Sequence, residues 1–297
     1  MVGRRDFIRQ FAGMALVGCT PAALMAAPKN LPTRRIPGTD ERLAVIALGN
    51  SNAFRQGDAA VARELLEMFF EYGGGYIDCG GESAYFVGSL AKTLGGNSSA
   101  FLGSYFSAGD AVTSQANAER LRAIRGVSCL DLMHTVPEDG VPNWDVVRGW
   151  KEAGLTRFIG LARHQPRYYD SMMKVMATGT LDFLQVNLSP LETEAEDRIL
   201  PMAQDMGVAV TINRPFINGR YFSIVKGKSL PAWAVEFDCT SWAQFSLKYI
   251  LSHPAVTCVL TETANPKHLR DNLGGGIGRL PDEKTRVKMR RLLQSYS

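Results

Sequence analysis

The chain has 297 residues, 45% of them hydrophobic and 21% charged, a composition that suits a globular protein and excludes a disordered one. The formal net charge is +4, and Arg4, Arg5 and Arg9, offset by Asp6, supply about half of it. The remainder therefore lacks the concentrated basic face that a nucleic-acid partner needs. Five cysteines without CxxC or Cys/His spacing exclude a zinc framework and a disulfide-dense scaffold, and no metal-binding residue is expected.

Gly3-Arg4-Arg5-Asp6-Phe7-Ile8 precedes an apolar stretch from Phe11 to Ala27 that is broken at Thr20-Pro21. The pair of arginines followed by an aromatic and an aliphatic residue resembles a twin-arginine (Tat) export signal, although Gly3 replaces the common Ser or Thr. A basic amphipathic N-terminal helix is the plainer reading. The apolar run is too interrupted to span a bilayer of about 30 Å. Two cleavage readings stand side by side. Leu16-Val17-Gly18-Cys19 resembles a lipobox, which would leave Cys19 acylated as the chain's contact with a membrane, and Leu24-Met25-Ala26-Ala27 offers a cut near Ala26. Either gives a signal segment over residues 1–27, the Tat export machinery as a partner, and a mature domain over 32–297 in the periplasm or another extracytoplasmic space. Cys79, Cys129, Cys239 and Cys258 fall mostly in predicted strands and read as small buried hydrophobes.

Beyond the signal, Arg34–Glu41 with its Pro-Gly-Thr-Asp turn predicts a short hairpin. Strands are predicted at Ala44–Leu48, Tyr76–Cys79, Phe101–Tyr105, Cys129–His134, Phe158–Ala162, Phe183–Asn187, Ala209–Asn213 and Thr257–Leu260. Several are apolar throughout, as in strands covered on both faces. Helices alternate with them at Ala59–Tyr72, Tyr85–Leu94, Asn117–Arg125, Trp144–Ala153, Arg167–Ala177, Glu194–Met206, Ser241–Ser252 and Pro266–Asn272. In the first helix Val61, Leu65, Met68 and Phe69 recur at helical spacing, and Gly73-Gly74-Gly75 ends it. Asn143 and Asp282 stand at N-cap positions, and Gly274-Gly275-Gly276 reads as a C-cap and hinge. A further helix lies within Arg279–Ser297. Eight β/α units predict an α/β fold, a (β/α)₈ TIM barrel with a short N-terminal hairpin and an extra C-terminal helix. A doubly wound sheet is the alternative, but no GxGxxG follows the first strand. In such a barrel the chemistry sits at the C-terminal ends of the strands.

Those strand ends carry a resemblance. Gly75-Tyr76-Ile77-Asp78, Asp131-Leu132-Met133, Gly154 to Leu161, Asp182 to Asn187, Asn213-Arg214-Pro215-Phe216, and Asn265-Pro266 with Asp271-Asn272 occur in that order. Across Pro32–Leu293 the chain resembles the aldo/keto reductases, particularly their exported twin-arginine branch. The resemblance implies reduction of a small-molecule carbonyl substrate by NAD(P)H through an Asp, Tyr, Lys, His tetrad. In that tetrad Tyr protonates the nascent alkoxide, Lys lowers the Tyr pKa, Asp holds Lys, and His orients the substrate oxygen.

Asp78 matches the tetrad Asp, but the Tyr position reads Ser83, the Lys position Tyr105 and the His position Val136. Tyr85 is a displaced candidate for the donor at the mouth. His134, two residues before Val136, faces the same side about 6.6 Å deeper. The candidate catalytic set is therefore Asp78, Tyr85, Tyr105 and His134. The plainer readings are that Tyr105 and His134 fill the barrel and that Asp78 is a buried carboxylate paired with Arg214 or Arg163. For the cofactor the resemblance implies Gln185 on the sixth barrel strand, while the Ser-Asn pair of relatives is replaced by Arg163-His164. It further implies Arg214, Pro215 and Phe216 in the loop after the seventh, with Glu262, Thr263, His268, Asp271 and Asn272 after the eighth. Glu262 stands where NADPH-binding relatives carry a cation, which favours NAD over NADP. Two functional readings result: an oxidoreductase with a rebuilt donor set, and a non-catalytic extracytoplasmic barrel that binds a small ligand or partner. A redox-neutral enzyme using Asp78 or His134 as base is a third.

Overall fold

A computed structural model describes residues 30–95, 100–137 and 143–296; the twin arginines, the apolar stretch and Cys19 lie outside these residues. Ten strands form: β1 (Thr33–Arg35), β2 (Arg42–Ala44), β3 (Ile46–Leu48), β4 (Tyr76–Asp78), β5 (Phe101–Tyr105), β6 (Leu130–Thr135), β7 (Thr156–Ala162), β8 (Phe183–Asn187), β9 (Ala209–Asn213) and β10 (Val256–Thr261). Strands β3 to β10 close a parallel eight-stranded barrel in chain order, with β10 paired to β3. Helices lie between successive barrel strands, giving the TIM barrel that the β/α alternation predicts.

Strands β1 and β2 make an antiparallel hairpin in which Thr33 faces Ala44. The first predicted strand is thus divided, its Ala44 going to the hairpin and its remainder to the barrel. Gly38, at φ +72°, makes the tight turn that only glycine adopts without strain. Ile36 and Leu43 of the hairpin join Tyr76, Phe101, Leu132, Phe158, Phe183, Ala209 and Cys258 in one buried cluster inside the barrel. The hairpin therefore stops the N-terminal end of the barrel.

Side chains alternate across each strand, so one set fills the interior and the other packs under the helices. The outward set, with Ile77, Leu102, Met133, Ile159, Leu184, Val210 and Ile212, belongs to the larger core beneath the helices. The inward set begins with an aromatic layer: Tyr76 meets Phe101 edge-on at 5.2 Å, and Phe183 lies 5.5 Å from Phe158 and 5.7 Å from Phe101. One step further along the strands the inward residues turn polar, giving Asp78, His134 and Gln185.

Asp58, Asp110, Ser241 and Asp282 accept backbone N–H groups at the starts of their helices. Asn143 occupies its N-cap position without a side-chain hydrogen bond, so that expected cap is positional only. The triglycine after helix Pro266–Gly274 adopts no left-handed cap. Gly275 is right-handed, and a methyl group on Gly276 would lie 2.8 Å from Ile46, so close packing against β3 explains the small residue. Three short pieces, Ile217–Gly219, Arg220–Ile224 and Ala232–Phe237, occupy the long loop after β9 where no element was expected.

Phe183 touches three aromatic neighbours at the centre of the barrel and is fully buried. Phe183→Ala is expected to lower the unfolding free energy by about 3–5 kcal/mol. The measurement is the urea midpoint, which falls while the slope stays unchanged.

Candidate functional site

Asp78 ends β4 and is 3% exposed. Its Oδ2 accepts the Tyr105 hydroxyl and Gln185 Nε2, the latter at 3.1 Å. Its Oδ1 accepts the Tyr76 hydroxyl at 3.1 Å and lies 3.5 Å from His134 Nε2. Asn213 Nδ2 donates to Gln185 Oε1 at 3.1 Å, bracing the amide from β9. Groups from four barrel strands, β4, β5, β6 and β8, thus meet at one carboxyl group. Room for it comes from glycine, since a Cβ on Gly103 would lie 2.7 Å from Asp78 Oδ1 and 2.9 Å from the Tyr76 hydroxyl. Gly160 does the same for His134, whose Nδ1 would be 2.5 Å from an added Cβ.

Asp78 forms no ion pair with arginine or lysine among the described residues. Arg214 pairs with Glu192 at 3.4 Å, and Arg163 stacks on Tyr168, so the expected buried pair with either is corrected to a hydrogen-bonded carboxyl. Burial pushes Asp78 up to about 6, against the hydroxyls of Tyr105 and Tyr76 and the Gln185 amide, which pull it down. Burial pushes His134 down to about 3, so the imidazole is neutral. Its Nδ1 has no hydrogen-bond partner, whereas Nε2 faces the Tyr76 oxygen at 3.3 Å; the pattern assigns the proton to Nε2. Tyr105 and Tyr76 are raised well above the ordinary phenol value, first by burial and then by the Asp78 charge.

Tyr105 stacks over His134 with ring centroids 5.4 Å apart, so Tyr105 faces the mouth and His134, fully buried, lies beneath it. The structure brings Asp78, Tyr105, His134 and Gln185 together. It does not bring Tyr85, which sits on helix Glu82–Thr93 with its ring 4.0 Å under the Arg120 guanidinium and lines neither of the cavities described next. A side chain near the start of that helix is turned onto the neighbouring helix, Ala111–Arg125, rather than the mouth. Tyr76, which sequence reasoning passed over, carried a readable signal: two residues before Asp78 on one strand, it shares Asp78's face.

Above Tyr105 opens a cavity of about 630 Å³ lined by Asp78, Tyr105, His164, Gln185, Asn213, Arg214, Pro215, Phe216, Phe222 and Glu262, among others. A second, of about 360 Å³, shares Phe216, Phe222 and Glu262 with it and adds Thr263, His268, Asp271 and Asn272. Both volumes fall in the range of small-molecule sites, about 300–1,000 Å³. Asn50 and Phe222 join this lining without having been singled out from the sequence, and His164, noted there without a role, joins it too. The loop after β9 closes over the first cavity under strain: Arg214, Ile217 and Asn218 all hold φ near +50°. Such backbone costs about 1–3 kcal/mol per residue and is severe for β-branched Ile217. Asn50 Oδ1, Asn213 Oδ1 and Arg214 Nε, all on cavity-lining residues, are buried without a hydrogen-bond partner. Polar groups left this way fit a site completed by a ligand.

The aldo/keto reductase family model matches residues 45–286. The protein belongs to the aldo/keto reductase family. Among curated proteins none matches the chain. Its fold is similar to the holo form of aldo-keto reductase AKR11C1 from Bacillus halodurans, with a TM-score of 0.69 at 16% identity over 90% of this chain and 97% of that one. It is also similar to an aldo-keto reductase from Klebsiella pneumoniae in complex with NADPH, with a TM-score of 0.68 at 18% identity over 88% and 95% of the two chains. At such identities these likenesses speak for the barrel of this aldo/keto reductase, not for its ligand.

A carboxyl whose folded pKa exceeds its unfolded value holds its proton more tightly when folded, so its ionisation costs stability. For Asp78 that cost is absent below about pH 4, grows as pH rises through about 6, and reaches roughly 3 kcal/mol above it. Asp78→Asn carries no such cost. The stability difference between wild type and Asp78→Asn should therefore move by about 2–3 kcal/mol in favour of the variant between pH 4 and pH 8. Denaturant titrations at both pH values measure it.

Proposed function

We propose that the protein is a nicotinamide-dependent oxidoreductase that reduces a small carbonyl compound with a rebuilt proton donor, the Asp78–Tyr105 couple. The observation that carries this reading is the Tyr105 hydroxyl, seated at the base of the larger cavity and hydrogen-bonded to the Asp78 carboxyl behind it. Relatives support the tetrad Tyr with a lysine. Here Tyr105 itself stands at the lysine position, and no lysine lines the cavity.

The cofactor, when bound, supplies hydride to the carbonyl carbon. Asn50, Asn213, Arg214 and Phe216 would hold it along the larger cavity, with Glu262, Thr263, His268, Asp271 and Asn272 along the smaller one. The orphaned Asn50, Asn213 and Arg214 atoms fit that role. The smaller cavity is lined by two carboxylates and no lysine or arginine, which supports NAD over NADP because a 2′-phosphate would meet like charge there.

The chain's own residues handle the proton. As the carbonyl oxygen gains negative charge, the Tyr105 hydroxyl gives it a proton and takes one from the Asp78 carboxyl. The product is the alcohol, and Asp78 is left ionised. Without a nearby cation a free phenolate at Tyr105 is unfavourable, so the carboxyl must replace the proton as it leaves. Gln185, Tyr76 and the reprotonated Tyr105 hydroxyl then donate to the Asp78 carboxylate. Neutral His134 supports the Tyr105 ring from below. Reduction requires protonated Asp78 and alcohol oxidation requires its carboxylate.

Reductive turnover on aldehyde and quinone panels is expected to fall as pH rises through about 6, with oxidation showing the opposite limb. Tyr105→Phe should lower the reductive rate by about 10²–10⁴-fold while NADH binding, followed by tryptophan quenching, is retained. Absence of NADH and NADPH binding to the wild type would favour the non-catalytic ligand-binding barrel instead.

We further propose that the chain is exported by the Tat route and acts outside the cytoplasm, a reading supported by Arg4-Arg5 and the apolar run after them. Mass spectrometry of the mature N-terminus is expected to find either diacylated Cys19 or a start near Ala27; an intact Met1 in the exported fraction defeats both.

A further inference from the structure

The mouth of the larger cavity carries more positive charge than its hydrogen bonds use. His164 and Arg214 line the cavity, on the loops that follow β7 and β9. Arg163 and Arg167 flank them and have no carboxylate partner among the described residues. Each instead donates to the same Tyr168 hydroxyl, at 3.2 and 3.1 Å, and each stacks on its ring, at 4.5 and 4.9 Å. Arg214 has Glu192 at 3.4 Å, but that carboxylate also accepts Asn187 Nδ2 at 2.8 Å. Of these three guanidinium groups only that of Arg214 meets a carboxylate among the described residues.

Their hydrogen-bonding capacity is also unfilled. Arg163 Nε, Arg214 Nε and Gln165 Oε1 are buried with no partner. A buried donor left unmade is costly, and a charged one most of all. Arg214 is moreover held at φ +52°, a conformation that a non-glycine residue keeps only when its surroundings impose it. His164 lies between the cations, and burial, followed by Arg214 and Arg163, holds its imidazole below the ordinary value, with Glu192 opposing.

We propose that His164 and Arg214, reinforced by Arg163, form an oxyanion subsite that takes a carboxylate or phosphate group of the cavity's ligand. A planar guanidinium offers paired N–H groups to such an oxyanion, and an anion seated there compensates the excess charge. The subsite rests on the reading of this cavity as the ligand site. Its chemistry fits two sources, a phosphate of the nicotinamide cofactor or a carboxylate on the substrate.

The test uses the full chain without cofactor, so it stands apart from any failure of hydride transfer. The chain has four histidines, and their imidazole NMR signals are followed during titration with inorganic phosphate and with malonate at constant ionic strength. Saturable movement of the His164 signals is expected, with the His164 pKa rising by about one unit at saturation as the anion offsets Arg163 and Arg214. Arg214→Gln should weaken the response by about tenfold or more, and Arg163→Gln, remote from the strained loop, serves if the first variant misfolds. A His164 signal unmoved by both anions, or moved equally in a folded variant, overturns the subsite. Repeating the titration in saturating NADH separates the sources. Loss of the response assigns the subsite to the cofactor's phosphates, and a persisting malonate response assigns it to a substrate carboxylate.

Discussion

The arrangement at the top of this barrel follows from one constraint, a carboxyl group placed where water cannot reach it and no cation answers it. Asp78 closes a strand whose inward neighbours are aromatic, so it is deprived of solvent while still needing its lone pairs filled. The fold answers with neutral donors, a phenol from the same strand and a phenol and an amide from others, with a neutral imidazole beside them. Tyr76 and His134 are admitted by local concessions, glycine at 103 and at 160, where an added side chain would collide with them. The geometry and the proton affinity of the group therefore have a common origin. A lysine at the Tyr105 position would have made Asp78 a permanent anion and a scaffold; a phenol there makes it a group that gains and loses a proton near neutrality.

The architecture was largely legible because short runs, several apolar throughout, alternate with amphipathic helical segments, and strands Phe101–Tyr105, Phe183–Asn187 and Ala209–Asn213 begin and end where that pattern puts them. Ala44 went to the hairpin because the tertiary pairing with Thr33 competes with barrel membership, something no local pattern reveals. Of the site, Asp78, Tyr105 and Gln185 were readable through the resemblance at the strand ends, and His134 because strand alternation fixes which way a side chain points. The loop-borne Arg214, Phe216 and Glu262 were named as well and line the cavities, whereas the helix-borne Tyr85 does not. Tyr85 depended on how a helix start is rotated, and Arg120 on the adjacent helix captured its ring. The closing loop after β9 depended on non-glycine residues in left-handed conformations, which composition argues against. Asp78's partners were missed for a different reason: a charge pair was the expected remedy for burial, whereas several neutral hydrogen bonds serve here.

The two cavities divide their chemistry by sign. The larger has a cation at Arg214 and an acidic base at Asp78, while the smaller is bounded by Glu262 and Asp271. Glu262 belongs to both, packing across Gly49 with Arg55 3.8 Å away, and so marks the border between them. A ligand long enough to occupy both cavities would present its negative groups to one and its hydroxyl groups to the other.

The hairpin gives the interior one further property. With Ile36 and Leu43 stoppering the far end of the barrel over a layer of phenyl rings, the well holding Asp78 is blind. Whatever proton departs from that acid must leave by the same opening through which a ligand arrives. A bound molecule that fills the opening therefore also cuts the acid off from the acidity of the surrounding medium, and the protonation state at the moment of entry is the one the trapped molecule meets.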